Sequence, residues 1–105
     1  MKIVYYDLET TDMRPVTGPH GVQIIQIGAV CKRTGLGFNN YLIPTVPISP
    51  GATQVHGLTR GILVQKWRNG DSDVFPNMAV GLKHFMDVLQ FQKDYRSEEI
   101  GLVSY

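Results

Sequence analysis

Apolar and polar positions along the chain fall into blocks of different period. Residues 2–8 (KIVYYDL) form a β-branched and aromatic run and predict a first strand. MRPVTGPHG, residues 13–21, carries two prolines and two glycines and predicts a loop. VQIIQIGAVCK, 22–32, predicts a second, long strand, RTGLG a tight turn, and FNNYLIP, 38–44, a third strand that closes a meander. Pro44, Pro47 and Pro50 each lack an amide donor, which predicts an extended surface segment. Thr59 is placed as the N-cap of a short helix running to Lys66, with WRNGDSD a loop behind it. From Pro76 to about Phe91, Met78, Ala79, Leu82, Phe85, Met86 and Leu89 recur at spacings of three and four, the signature of an amphipathic helix laid on a sheet. KDYRSEE is polar and reads as exposed, and IGLVSY begins a fourth strand. The order β-β-β-α-α-β predicts one α/β domain with a mixed sheet.

Composition narrows the class. The 105 residues are 43% hydrophobic, the balance of a single small globular domain or part of a larger one. Ten basic and nine acidic residues leave a net charge of +1, so no overall field advertises a polyanionic partner. A nucleic-acid binder with this balance relies on local or metal-mediated contacts. Cys31 is the single cysteine, which excludes an internal disulfide and suits a reducing compartment. No apolar stretch approaches 18 residues, and acids interrupt the N-terminal run, so neither a membrane span nor a signal peptide is expected. The expectation is a soluble intracellular protein with no membrane partner; nucleus, cytoplasm and mitochondrion are not distinguished.

The candidate chemistry sits where the first strand ends, in YYDLETTDM. Residues i and i+2 of a strand project to one face about 6.5–7 Å apart, so Asp7 and Glu9 point together. Carboxylates held close repel unless a cation lies between them. Hard divalent ions such as Mg²⁺ or Mn²⁺ take oxygen ligands and bind one or two carboxylates plus substrate phosphates. Two such ions about 3.5–4 Å apart stabilise the attacking and leaving oxygens of phosphodiester cleavage. An isolated D-x-E is also compatible with a solvated loop entrance, and Thr10 and Thr11 with ordinary strand-to-turn residues.

YYDLETTDM followed by IIQIGAV (24–30) and ISPGATQVHGLT (48–59) resembles the DnaQ-like DEDD 3′–5′ exonucleases, which include proofreading subunits and three-prime repair exonucleases. The family's first motif is a strand ending in Asp-x-Glu-(Thr/Ala)-Thr-Gly, matched by Asp7, Glu9, Thr10 and Thr11. Its second strand matches Ile24 to Val30, and its V-H-G-(I/L)-T segment matches Val55 to Thr59. The resemblance implies a ribonuclease H-like mixed sheet, two Mg²⁺ or Mn²⁺ ions in a complete domain, and hydrolysis at a DNA or RNA 3′ end that releases nucleoside monophosphates. It implies that Asp7 bridges both ions and Glu9 binds one. It also implies that Leu8, Thr10 and Thr11 floor the scissile end, and that His56, Gly57 and Leu58 pack against the terminal base or sugar. His56 is not the family's general base, which belongs to a later motif, and a His that only fixes loop geometry fits the residue equally. Asp12 departs from the family's Gly and reads as a turn former. Haloacid-dehalogenase-type phosphatases also place two acids two apart, but their second acid is Asp followed by Gly-Thr, and they lack the V-H-G segment.

GLVSY matches the strand that precedes the family's second motif, and neither of the two remaining carboxylates has a counterpart among Asp71, Asp73, Asp87 or Asp94. The chain is therefore read as the N-terminal part of an exonuclease domain, with the first motif present and the second and third missing. Two expectations follow from that reading. The chain is inactive alone, and its half-covered sheet self-associates or docks the C-terminal half of the domain. The alternative is a non-catalytic exonuclease-like module for nucleic-acid binding or protein assembly. His20 and His84 read as surface residues. Trp67, flanked by Lys66 and Arg68, reads as a core edge, the alternative being a stacking platform for an unpaired base.

Overall fold

The computed structural model describes residues 2–12, 21–33, 35, 37–91 and 100–104. Strand β1 (Lys2–Thr10) pairs antiparallel with β2 (Ile24–Cys31), which pairs antiparallel with β3 (Gly37–Leu42). Helix α1 (Pro50–His56), helix α2 (Arg60–Arg68), the two-residue strand β4 (Val74–Phe75) and helix α3 (Met78–Phe91) follow. Strand β5 (Ile100–Ser104) lies parallel to β1. The five strands form one mixed sheet in the order β4-β3-β2-β1-β5, an α/β arrangement of the ribonuclease H-like kind. The predicted loop over 13–21 and the polar KDYRSEE segment lie outside the described residues, apart from Gly21.

Several expectations are corrected. Pro50 does not extend the chain but opens α1, with Ser49 as N-cap accepting from the Ala52 amide. Its fixed φ suits a first helical position, where the missing N–H has no partner to lose. Pro44 is fully buried and not on a surface segment. Trp67 and Arg68 belong to α2, whose N-cap is Thr59 as expected. The added β4 makes IGLVS the fifth strand of the sheet, not the fourth.

Two apolar clusters hold the sheet. Val4, Ile27, Cys31, Leu42 and Phe85 form one beneath α3; Ile25, Ile43, Leu58, Leu63 and Val74 form the other beneath α2. A β-bulge divides the isoleucines between them. Glu9 pairs with Gln26 and Thr10 with Ile24, so Ile25 has no residue opposite it on β1. The extra residue breaks the two-residue alternation. Ile24 and Ile27 consequently pack with the α3 cluster, and Ile25 faces the other. Helix α3 approaches the sheet closely at Gly81, where a Cβ would come within 1.8 Å of Leu42 Cδ2. It lies towards β3 and β4, and an apolar hollow lined by Tyr6, Leu8, Ile24, Leu82, Phe85 and Leu102 remains over β1 and β5. Among the described residues no helix is long and apolar enough to cross a membrane.

Candidate functional site

Side chains alternate across a strand, and that alternation sorts β1. Val4 packs with Phe85, and Tyr6 and Leu8 line the hollow beside α3. Tyr5, Asp7 and Glu9 therefore occupy the opposite face. Their cross-strand neighbours on β2 are Val30, Gly28 and Gln26. Asp7 is exposed, and its Oδ1 accepts the Leu8 amide at 3.0 Å, which orients the carboxylate along the strand. Gly28 places no side chain opposite Asp7, and a shallow hollow lined by Tyr5, Asp7, Gly28 and Val30 results.

The strand end behind the acids is fixed from three directions. The Thr11 amide donates to Gln23 O at 2.9 Å, its hydroxyl accepts from Gln23 N at 3.1 Å, and its carbonyl accepts from Ser49 N at 2.8 Å. Thr11 is only 2% exposed, so its hydroxyl is committed to the fold. The Thr10 hydroxyl donates to Asp12 O at 2.8 Å. The Gln23 side chain donates to Thr45 Oγ1 and accepts the Thr45 amide, which ties the start of β2 to the segment after β3.

His56 supplies the third anchor. Its Nδ1 lies 3.0 Å from the Leu58 amide, and an amide can only donate, so Nδ1 carries the lone pair. Nε2 then carries the hydrogen and donates to Thr10 O at 3.2 Å. One ring thus joins the α1–α2 corner to the residue after Glu9. Gly57, the C-cap of α1, sits at φ 74°, and its amide donates to Thr53 O. That left-handed position favours glycine. Leu58 is buried in the cluster beneath α2, and its carbonyl accepts from the Thr53 hydroxyl at 2.8 Å.

The structure thus brings Asp7 and Glu9 together on an open face, with His56 and Thr10 joined directly behind them. Leu8 points to the α3 side, Thr11 and Leu58 are buried, and Gly57 is exposed at the corner. Among the described residues no three His, Cys, Asp or Glu side chains gather as a ready-made metal site. Two carboxylates are nonetheless a hard-oxygen donor set of the kind that Mg²⁺ and Mn²⁺ take. Trp67 is 49% exposed, so it is not a core edge, and His84 stacks on Phe75 at 4.7 Å between ring centres.

Fold and site define an α/β protein with a strand-borne acidic pair on an open sheet face. In an alignment of 69 residues that covers 60% of its length, the chain is 41% identical to DNA polymerase III subunit epsilon of Pasteurella multocida (strain Pm70). It spans 27% of that protein. The similarity supports the kinship with DnaQ-like proteins that the order of the sequence motifs implies. No protein-family profile matches the chain.

Proposed function

We propose that the chain is the first-motif part of a DnaQ-like 3′–5′ exonuclease domain, in which Asp7 and Glu9 hold divalent metal at the 3′ end of a nucleic-acid strand. The observation that carries this reading is the shared orientation of Asp7 and Glu9 at a clamped strand end, in a chain 41% identical over 69 residues to a DNA polymerase III subunit. Mg²⁺ or Mn²⁺, when bound, would polarise the scissile phosphate and lower the cost of charge on the attacking and leaving oxygens. Asp7 and Glu9 supply its oxygen ligands. The bonds from His56 to Thr10 and from Thr11 to Gln23 and Ser49 hold the backbone beneath the terminal nucleotide. A complete two-ion site needs further carboxylates, and among the described residues none joins Asp7 and Glu9, so weak metal binding and no cleavage by the chain alone are the expected outcomes.

The experiment is fluorescence anisotropy of a labelled single-stranded oligonucleotide with a free 3′ hydroxyl, with and without Mn²⁺. Mn²⁺ is expected to strengthen binding to the wild type and not to Asp7→Asn or Glu9→Gln. Equal Mn²⁺ enhancement in both variants overturns the assignment. Metal-dependent release of mononucleotides by the purified chain would show that its site is already complete.

A further inference from the structure

We propose that a ladder of side chains crossing the open sheet face, from the acidic pair to α2, is the contact track for the single strand whose 3′ end reaches that pair. The proposal deepens the nucleic-acid reading above and rests on it. Gln26 stands opposite Glu9 on one side and Tyr41 on the other. Gly28 stands between Asp7 and Asn39 in the neighbouring row. Gln26 Nε2 donates to Asn39 Oδ1 at 2.9 Å, and Asn39 Nδ2 donates to Tyr41 Oη at 3.4 Å. Lys66 Nζ, reaching in from α2, lies 5.1 Å from the centre of the Tyr41 ring.

The ladder has the chemistry of a strand-binding surface. Both of its amide hydrogen bonds are exposed to solvent. Each amide makes fewer bonds than it can, so donors and acceptors remain for bases and sugars. The two rows run from the acids Asp7 and Glu9 across neutral side chains on β2 and β3 to the cation Lys66, which has Asp71 beside it. Lys66 forms a long ion pair with Asp71, at 4.0 Å, a separation too wide for a direct hydrogen bond, so a phosphate that docks here competes with that carboxylate for the ammonium. Glu9 and Tyr41 are two strand spacings of about 4.8 Å apart, and Lys66 lies about 5 Å further, roughly 10–15 Å in all. That distance spans about three to four nucleotides at the ~3.4 Å spacing of a stacked strand. Glycine at the centre of the face keeps the path clear. The cation thus lies upstream of the 3′ end, where backbone phosphates need a partner, and the acids lie where metal joins protein to the terminal phosphate.

The test is salt-dependent anisotropy of a 5′-labelled oligothymidylate in EDTA, so that metal plays no part, with circular dichroism confirming that each variant is folded. Lys66→Ala is expected to weaken binding several-fold at low salt. It should also make the slope of log K against log salt shallower by about 0.7, the value of one phosphate contact on a single strand. Asn39→Ala is expected to weaken binding with the slope unchanged. Lys83→Ala, on α3 behind the sheet and paired with Asp87, is expected to change neither. A wild-type slope and affinity in Lys66→Ala, an equal loss in Lys83→Ala, or no binding by the folded wild type overturns the track. The two readings separate cleanly. If Asp7→Asn loses the Mn²⁺ enhancement while Lys66→Ala binds as wild type, the exonuclease reading stands and the track falls. If Lys66→Ala loses its phosphate contact while Asp7→Asn keeps the Mn²⁺ enhancement, the track stands and the metal assignment falls.

Discussion

Gly81→Ala tests how closely α3 is pressed on the sheet that carries the acidic pair. In an ordinary helix this change stabilises by about 1 kcal/mol, since Ala is the best helix former and Gly among the poorest. Here the new methyl would lie 1.8 Å from Leu42 Cδ2 and 2.7 Å from Leu42 Cγ. Carbon atoms prefer about 3.5–4 Å, so one partner must move by more than an ångström. Leu42 is 0% exposed and has no solvent-side rotamer to escape to. Overpacking of this kind costs about 1–3 kcal/mol, and the depth of the overlap puts Gly81→Ala near the upper end. Subtracting the propensity gain leaves a net loss of about 2 kcal/mol. For a domain of this size that lowers Tm by roughly 8–16 °C. Thermal unfolding followed by circular dichroism reads it, and Leu42→Ala supplies the internal control. Leu42→Ala alone costs about 2–5 kcal/mol, but it removes both overlapping atoms. In its background Gly81→Ala should turn neutral or stabilising, a coupling of about 2–3 kcal/mol. If Gly81→Ala alone matches or exceeds wild-type stability, α3 does not lie on Leu42 as described.

Three further outcomes follow from the same packing. Asn40 is 4% exposed, and its Nδ2 has no hydrogen-bond partner among the described residues; the near-isosteric Asn40→Leu should therefore stabilise by about 1–2 kcal/mol in urea unfolding, and a loss of stability would mean the amide is satisfied. His56→Phe keeps the ring but strands the Leu58 amide and the Thr10 carbonyl; it should cost about 1–2 kcal/mol and speed exchange of the Leu58 amide proton, and unchanged exchange would show that the ring does not clamp the corner. Size-exclusion chromatography with light scattering should give a mass above the 11.8 kDa of one chain, because the hollow beside Leu102 presents apolar surface and the outer side of β5 has no partner strand among the described residues; a clean monomer at all concentrations contradicts this.

The strands of the meander and the helix Met78–Phe91 were legible in the sequence, since each repeats its own period long enough to be recognised. So was the acidic pair, because a spacing of two in a strand forces one face. Helix α1 was not. Its seven residues begin at Pro50, which reads with Pro44 and Pro47 as an extended segment, although Ser49 before Pro50 is the N-cap and first-turn pair of a helix start. Strand β4 is two residues long and shows no period. The run Ile24-Ile25-Gln26-Ile27 carries no sign of the bulge that sends its isoleucines to different clusters, since that depends on which β1 residue each one meets. The clamp from His56 to Thr10 joins residues 46 apart, beyond the reach of any local pattern. The ladder of Gln26, Asn39, Tyr41 and Lys66 likewise exists only once β2, β3 and α2 are placed side by side.

Whether Asp7 and Glu9 hold the metal is decided by Mn²⁺ titration of the ¹⁵N-labelled chain, reading paramagnetic broadening of individual amide signals. Low Mn²⁺ is expected to broaden the amides of Leu8, Glu9, Gly28 and Gln26 first, modest EDTA to reverse the effect, and Asp7→Asn to abolish it. Broadening that begins at Asp71 and Asp73, or that persists around Gly28 in Asp7→Asn, would contradict the assignment of Asp7 and Glu9 as the metal-binding pair.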